Sequence, residues 1–574
     1  MTLAASRRVG RADDRRRRWV ELGVLAAILL LAALTRLPGL DARGQWDAGQ
    51  GRDMTVLAAM VGHGELPLLG PVTSIGTFHH GALYYYLLAP AALLSGADPV
   101  AVAVEFALLG IAAVAATWRL ARLVGGPVAA AVAGGLLAVS PAGISESTFI
   151  WNPNPMPLFA ALAAIGVIEG RRSGGLRWWV LAALGTMVAM QLHWLGGVLL
   201  VPVAGAWILE LRRVRRAGAD TGVVRRAGVL GVVILALGYL PLAVHEVTND
   251  ALEVRAVIGY LAGGGGQAQA GIAVRLLTVA LRSLTWPVAG LVTDRPTASL
   301  AALILVLVLG GVAVLTTWRR GGARGSDARD RGTGGNAEPA GLPDRPAVAW
   351  LLGTLAFSVV ALAVLAPGLA VVVPGLPNDH VHAFLDPMVL TLVGAGVAGI
   401  VRASRSVAAS SAGARLAGLA VGLGMTVGLG VVAVTAWPPA VSPDGGWRLA
   451  DAAAAHVVEV VTAGWPPEEP RLLASLPAPK PDDAMRFPLE RRGLVLEPAL
   501  TGLAADLAPV VGVVTIVCDP LFDDSTGVAC GGPAEERWLA DAYPPGTMQL
   551  VQRLHAGDRR ILSIYGPSLL ATSP

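Results

Sequence analysis

The chain has 574 residues, of which 54% are hydrophobic and only 15% charged, with a mean hydropathy of +0.61. Soluble domains carry about 25% charged residues, so this deficit excludes an ordinary soluble protein and makes lipid the solvent of much of the chain. The formal net charge of +4 is too small for this length to argue for nucleic acid, and is explained by loop arginines that orient helices.

A basic stretch (Arg7, Arg8, Arg11, Arg15 to Arg18) precedes an apolar run from Trp19 to Leu34. That run is long for the core of a signal peptide and no small-residue cleavage site follows it. It reads as a retained first transmembrane helix, with residues 1–18 as a basic cytoplasmic terminus. A spanning helix needs roughly 20 mostly apolar residues, and about eleven segments come near that: 19–39, 99–118, 127–145, 155–169, 177–192, 195–211, 227–244, 299–317, 347–366, 386–401 and 414–436. Arginines mark cytoplasmic ends. They follow the second segment (Arg119, Arg122), the fourth (Arg171, Arg172, Arg177), the sixth (Arg212, Arg213, Arg215, Arg216), the eighth (Arg319, Arg320) and the tenth (Arg402, Arg405). Every even-numbered helix therefore ends inside, in what reads as a multi-pass protein of the cell membrane.

Two apolar stretches fit this alternation only as interfacial helices on the outer surface: 82–96, with Tyr84, Tyr85 and Tyr86 at headgroup level, and 272–292. Residues 319–346 are rich in glycine, arginine and aspartate and read as a flexible cytoplasmic linker. From Trp437 proline and charge rise. Helix-like stretches (447–462, 535–542) alternate with strand-like ones (471–475, 510–518, 560–565), so 437–574 reads as a small α/β domain, placed outside by the odd helix count. Its two cysteines, Cys518 and Cys530, lie where disulfides persist. A bridge between them and a pair of free thiols are both open, and the Cys-x11-Cys spacing is no metal signature.

This topology gathers the polar residues on one side. His63, His79, His80, His193, His245, His380 and His382 fall in outer loops or at outer helix ends, as do Asp47, Asp53, Glu65, Glu146, Glu246, Asp379 and Asp386. Ion-coupled transporters place their sites near the bilayer midplane. Here the pattern favours the outer membrane–water boundary, where a lipid-borne substrate presents its headgroup. The first outer loop, 40–98, holds Asp47 and Asp53 close to the bilayer. Desolvation there raises a carboxylate pKa toward that of a useful base; the alternative is a pair of solvated helix-boundary charges. Gly49-Gln50-Gly51-Arg52 is no dinucleotide fingerprint, having neither a preceding strand nor a third glycine. Other outer clusters are Glu146 with Trp151 to Asn154, Gln191-Leu192-His193-Trp194, His245-Glu246 with Asn249, and Asn378-Asp379-His380-Val381-His382. Their spacing matches no strong zinc signature. No cofactor is called for, and a divalent metal stays open. Trp151 and Trp194, judged singly, read as aromatic-belt anchors.

In order, one span is followed by a long outer loop opening with Trp46-Asp47 and Gly51-Arg52-Asp53. Next come Phe78-His79-His80-Gly81 running into Tyr84-Tyr85-Tyr86, then Phe149 to Asn154, Gln191-Leu192-His193, and a His380–Pro387 loop before a late span. Over about 19–440 this order resembles the GT-C-type polyprenyl-phosphate-sugar glycosyltransferases, the class that includes lipid A aminoarabinose transferases and protein O-mannosyltransferases. The resemblance implies an all-α, polytopic GT-C-like domain over 19–436, followed by the extracytoplasmic α/β domain. It implies inverting transfer, in which an outer-loop aspartate activates an acceptor hydroxyl that attacks a sugar carried on a polyprenyl phosphate. Asp47 is the first choice for that base and Asp53 the second. Arg52, His79 and His80 are the implied phosphate contacts, and Trp151, Asn152, Gln191, His193, His380 and His382 the further donor contacts. The implied partners are a polyprenyl-phosphate-linked sugar, an acceptor lipid, glycan or protein, and membrane lipids, with no nucleic acid. One departure stands out: the acidic pair usual in the family, three and two residues before the arginine, is Gly49 and Gln50 here. A flippase of lipid-linked saccharides and an inactive relative acting as a scaffold are the competing readings.

Overall fold

A computed structural model describes residues 2–73, 77–263, 270–290, 295–327, 344–370, 381–407, 412–477, 482–497, 512–520, 523–557 and 560–567. All eleven expected apolar segments are helical. Among the described residues, eight helices are long and apolar enough to cross a membrane: Arg15–Arg36, Pro99–Gly125, Trp194–Arg216, Ile272–Ala289, Pro296–Trp318, Arg345–Leu365, Ala383–Ser404 and Arg415–Thr435. Gly222–Gly238 and Leu240–Thr248, bent by 48° at their junction, make a ninth if taken as one broken span. The count differs from eleven for local reasons. Pro127–Ala138 and Leu176–Leu192 are shorter apolar helices. Met156–Ser173 ends in Glu169, Arg171 and Arg172. Conversely, Ile272–Ala289, expected to lie at the interface, meets the spanning criterion. The helix begun at Pro296 continues to Asp327, into the stretch read as a linker, and the next begins at Arg345.

Sequence signals set the helix ends. Asp98 caps Pro99–Gly125 by accepting from the N–H groups of Val100 and Ala101, and Asp344 accepts from Ala347 in the same way. Proline occupies the first turn of both helices, where a missing N–H costs nothing. The centre of the bundle is Ala383–Ser404, 94% buried over its apolar window while the other spans bury less than half of theirs. Its small residues allow this. A Cβ on Gly394 would lie 2.4 Å from the Ala129 carbonyl oxygen, and one on Gly396 2.1 Å from that of Leu309. Helices approach this closely in lipid only across such residues.

The segment joining the first two long spans folds into a compact cap. A four-residue helix, Leu40–Arg43, leads to the helix Ala48–His63. Strands β1 (Leu69–Val72) and β2 (His79–Gly81) then pair antiparallel, and the helix Leu83–Ser95 follows. At the other end of the chain lies a four-stranded sheet: β3 (Arg471–Leu476), β4 (Val513–Cys518), β5 (Met548–His555) and β6 (Ile561–Pro567), in the order β3-β4-β6-β5. β3 and β4 are parallel and the remaining pairs antiparallel. Helices Gly446–Gly464, Asp482–Arg491 and Pro533–Ala542 complete this domain, and a disulfide joins Cys518, at the end of β4, to Cys530. β3, β4 and β6 are buried apolar strands legible in the sequence. β5 is largely exposed and lacks their continuous apolar run.

The domain is seated on the loop helix. Trp46, 2% exposed, packs edge-on against Trp447 at 4.5 Å and donates from its indole Nε1 to the Ala484 carbonyl. Its backbone N–H donates to Asp444 at 2.7 Å, and its carbonyl accepts from Arg560. Arg491 donates to the Ala97 carbonyl and to Asp98.

Candidate functional site

The site is organised by the helix Ala48–His63. Its N-cap is Asp47, whose carboxylate accepts from the Ala48 N–H at 2.8 Å, while Gln50 closes a capping box by accepting from the Asp47 N–H at 2.8 Å. Gln50 also donates to the Ile150 carbonyl at 2.7 Å, which ties the helix start to the 141–154 loop. Asp47 is half-buried, and its local hydrogen bonds fix the direction of the helix.

Asp53, less than two turns on, is 1% exposed. The Tyr84 hydroxyl donates to its Oδ2 at 2.8 Å and that of Tyr85 to its Oδ1 at 3.0 Å; an Arg52 Nη lies 3.8 Å from Oδ1. Burial pushes the Asp53 carboxyl up to about 6, against the opposing pull of Arg52 and of the two tyrosine hydroxyls. The tyrosines read as headgroup anchors therefore divide their work. Tyr84 and Tyr85 turn inward, and Tyr86 donates to the Pro67 carbonyl. Asp483 of the C-terminal domain completes the group. Gly51 is pressed against it so closely that a Cβ would sit 1.9 Å from the Asp483 carbonyl oxygen. Burial and the neighbouring Asp482 raise the Asp483 carboxyl to about 6, with Arg52 pulling it down.

Beside this group is a cleft of about 430 Å³ lined by Arg52, Val56, Val72, His79, Tyr85 and His245, among others. His79 is held by the buried Glu253, which accepts from its backbone N–H at 2.6 Å and lies 2.9 Å from its Nδ1. Trp194 donates to the His79 carbonyl at 2.8 Å. His80 is buried with its ring 4.5 Å from that of His193. His193 Nδ1 accepts from the Leu195 N–H at 3.1 Å, which fixes it as an acceptor. Desolvation lowers His193 to about 4, and burial followed by the neighbouring His193 takes His80 well below its usual value. Both rings are thus neutral at pH 7 and offer hydrogen bonds rather than charge. Gln191 is buried behind β2, so close that a Cβ on Gly81 would lie 1.9 Å from its Oε1, and Asn152 donates to the Leu192 carbonyl. Trp151 stacks on Phe149 at 6.0 Å.

A second group forms around Glu146, which is 4% exposed and accepts from the Trp286 indole N–H at 2.7 Å. Burial raises its carboxyl to about 7, against the hydrogen bond from Trp286 and the attraction of Arg36. His382 packs its ring 5.2 Å from that of Trp286. It therefore belongs to this group, and His380 lies outside the described residues. Glu146 lines a cleft of about 410 Å³ that also touches Gln45.

The sequence reading thus names residues from two separate groups. The structure brings Arg52, Asp53 and His79 together around one cleft and sets His382 in the other group. Tyr84, Tyr85, Glu253 and Asp483 were missed as partners. The tyrosines carried a competing interfacial reading, and Asp483 lies 430 positions from Asp53 with no motif to link them. Among the described residues, no group of three or more His, Cys, Asp or Glu side chains is arranged to hold a metal ion.

Residues 79–239 match the family described as dolichyl-phosphate-mannose-protein mannosyltransferase. No curated protein matches the sequence. Among solved structures, the chain is similar to ArnT from Cupriavidus metallidurans in the apo state, with 16% identity, TM-score 0.52, and coverage of 96% of this chain and 98% of that one. The same protein bound to undecaprenyl phosphate matches with 16% identity and TM-score 0.52, covering 94% and 98%. An oligosaccharyltransferase from Archaeoglobus fulgidus, tethered to an acceptor peptide, matches with 14% identity and TM-score 0.51, covering 91% and 71%. The matched family and the archaeal neighbour are named as transferases of sugars. With its apolar helix bundle, capping loop and small terminal sheet, the chain is a polytopic membrane protein with the GT-C glycosyltransferase fold.

Proposed function

We propose that this protein is a membrane glycosyltransferase that moves a sugar, with inversion, from a polyprenyl-phosphate donor to an acceptor hydroxyl at the outer face of the cell membrane. The observation that carries this reading is the Arg52–Asp53–Tyr85 constellation beside the 430 Å³ cleft. A carboxylate with a pKa near 6 is mostly ionised at neutral pH yet still a competent base. Tyr85 touches both the cleft and Asp53, so the proton can pass in two linked transfers. The acceptor hydroxyl gives its proton to the Tyr85 oxygen as Tyr85 gives its own to Asp53 Oδ1. The acceptor oxygen then forms its bond to the anomeric carbon while the bond to the lipid phosphate breaks. Arg52, with His79 and His245 at the cleft wall, offers donors to the departing phosphate. Asp47 is the competing base, and its N-cap duty argues for a positioning role.

The binding of undecaprenyl phosphate by the similar ArnT supports a polyprenyl carrier. The arginines Arg15 to Arg18 before the first span support a cytoplasmic N-terminus; with the broken span counted, nine spans would carry the C-terminal domain to the outer side, and the disulfide in that domain fits an oxidising compartment. The test is sugar release from radiolabelled polyprenyl-phosphate sugars by protein in lipid nanodiscs, with an envelope extract as acceptor. Turnover lost in Asp53→Asn and kept in Asp47→Asn supports the assignment, and the reverse hands the base to Asp47. No donor bound and none turned over by the wild type would sink the transferase reading.

A further inference from the structure

The 410 Å³ cleft around Glu146 has a lining unlike the other large groove of the bundle. The groove between helices Leu176–Leu192, Leu200–Arg216 and Gly222–Gly238 is walled mostly by leucine, valine, alanine and glycine, with Trp179 and Trp207 and only Thr186 and Arg225 as polar groups. Among the described residues, the lining of the Glu146 cleft holds no leucine, isoleucine, valine or methionine; its apolar wall is Phe149, Trp286 and Trp437 with prolines and alanines. Between these aromatics stand two guanidinium groups, Arg43 and Arg295, and two carboxyls, Glu146 and Asp444. Guanidinium and carboxyl groups alternate around the cleft, with Asp444 already engaged by Arg560 and Glu146 partly protonated at neutral pH, so it is not a cluster of like charges. Its other polar residues are Gln45, Ser145, Thr148 and Ser442, each a neutral hydrogen-bonding side chain. Aromatic faces with closely interspersed hydrogen-bonding groups, donors and acceptors both, suit a molecule with apolar C–H faces and a dense rim of hydroxyls. A volume of about 410 Å³ lies at the lower end of the range for small-molecule pockets, about 300–1,000 Å³, and accommodates a disaccharide better than a long glycan. The cleft includes Gln45, two residues before Asp47, and is formed partly by residues 436–444, which join the last span to the C-terminal domain.

We propose that this cleft binds a neutral saccharide, the acceptor end of the transfer, with Trp437 as the stacking face and Glu146 as the hydroxyl acceptor at its floor. This assignment rests on the transferase reading for its role but not for its binding, so the two are tested separately. Full-length protein in nanodiscs is titrated with mannobiose, galactobiose, cellobiose and sucrose, and binding is read by saturation-transfer difference NMR on the sugar ring protons. At least one of them binds the wild type. Trp437→Ala and Glu146→Gln each weaken it about tenfold or more, while the affinity for undecaprenyl phosphate is unchanged. Trp437 is 41% exposed, so its truncation leaves the bundle packing in place, and the glutamine keeps the acceptor for the Trp286 N–H. If none of the four binds into the millimolar range, or if both variants bind like the wild type, the assignment falls. A protein that binds through Trp437 but releases no sugar from any donor keeps the cleft and sinks the transferase reading. One that turns over with unaltered acceptor KM in both variants does the opposite.

Discussion

The carboxylate of Asp444 accepts a 2.7 Å hydrogen bond from the backbone N–H of Trp46, 398 positions earlier in the chain. Asp444 also accepts from the Gly446 N–H and lies 3.5 Å from Arg560, with both side chains almost fully buried. Removing one member of such a pair leaves the other charged and unpaired in a dry site, at a cost of about 3–5 kcal/mol. Asp444→Ala is therefore expected to lower the thermal midpoint of the purified protein sharply. Asp444→Asn, which keeps an acceptor for Trp46, should lose less. Calorimetry in detergent on both variants checks the order.

Asp53 makes stability and activity respond to pH in opposite directions. Its folded-state pKa of about 6 is raised from 3.8, so the folded protein holds the proton more tightly than the unfolded chain. Its contribution to stability is fully present below pH 3.8 and is lost as pH rises through 6, by about 3 kcal/mol in total. Activity that needs the ionised base should instead rise through pH 6. A pH–rate profile for the wild type and melting curves for Asp53→Asn test this. The variant should lose about 10²–10⁴ in rate, yet melt no lower than the wild type at pH 8.

Asp47 separates from Asp53 by chemistry. As an N-cap it is replaced well by asparagine and poorly by alanine, which costs about 1 kcal/mol. Asp47→Asn should keep most of the wild-type rate and midpoint, and Asp47→Ala should lose stability. A rate for Asp47→Asn as low as that of Asp53→Asn would contradict the positioning role.

Gly51 is the point of contact between the loop helix and the C-terminal domain. With the Asp483 carbonyl oxygen 1.9 Å from where a Cβ would lie, Gly51→Ala must push backbone against backbone. The expected result is loss of the domain's docking, read as new protease cuts in residues 437–447. Gly49→Glu should be benign by contrast. A Cβ there meets nothing within 4 Å, and an acidic residue in the first turn favours the helix by about 0.3–1 kcal/mol. The same variant restores an acidic side chain at one position of the family's usual pair, so its rate relative to wild type is worth measuring.

Local patterns carried the first part of the fold and long-range pairing the rest. The apolar segments were legible because spanning lengths and arginine-marked ends are written residue by residue, and all eleven became helices. The expected count of eleven is not reached where helix length and charge fall short of a full span, at Pro127–Ala138 and Met156–Ser173. Asp53 was legible as a carboxylate near the bilayer, but its partners were not. Tyr84 and Tyr85 have the composition of interfacial anchors, and only their hydrogen bonds to Asp53 show that they face inward. Asp483 and Glu253 reach their neighbours across 430 and 174 positions, distances over which a single sequence carries no pairing signal.

The seating of Trp46 between Asp444, Ala484 and Arg560 has a temporal meaning. The loop that carries Asp47 and Asp53 leaves the ribosome well ahead of Arg560, which donates to the Trp46 carbonyl from 514 positions further on. Trp46, just ahead of the loop helix, must therefore wait without these partners while the later spans are inserted. A product that stops before Arg560 lacks one of the partners that hold Trp46, so the seating of the site loop is completed only after the later spans have been made.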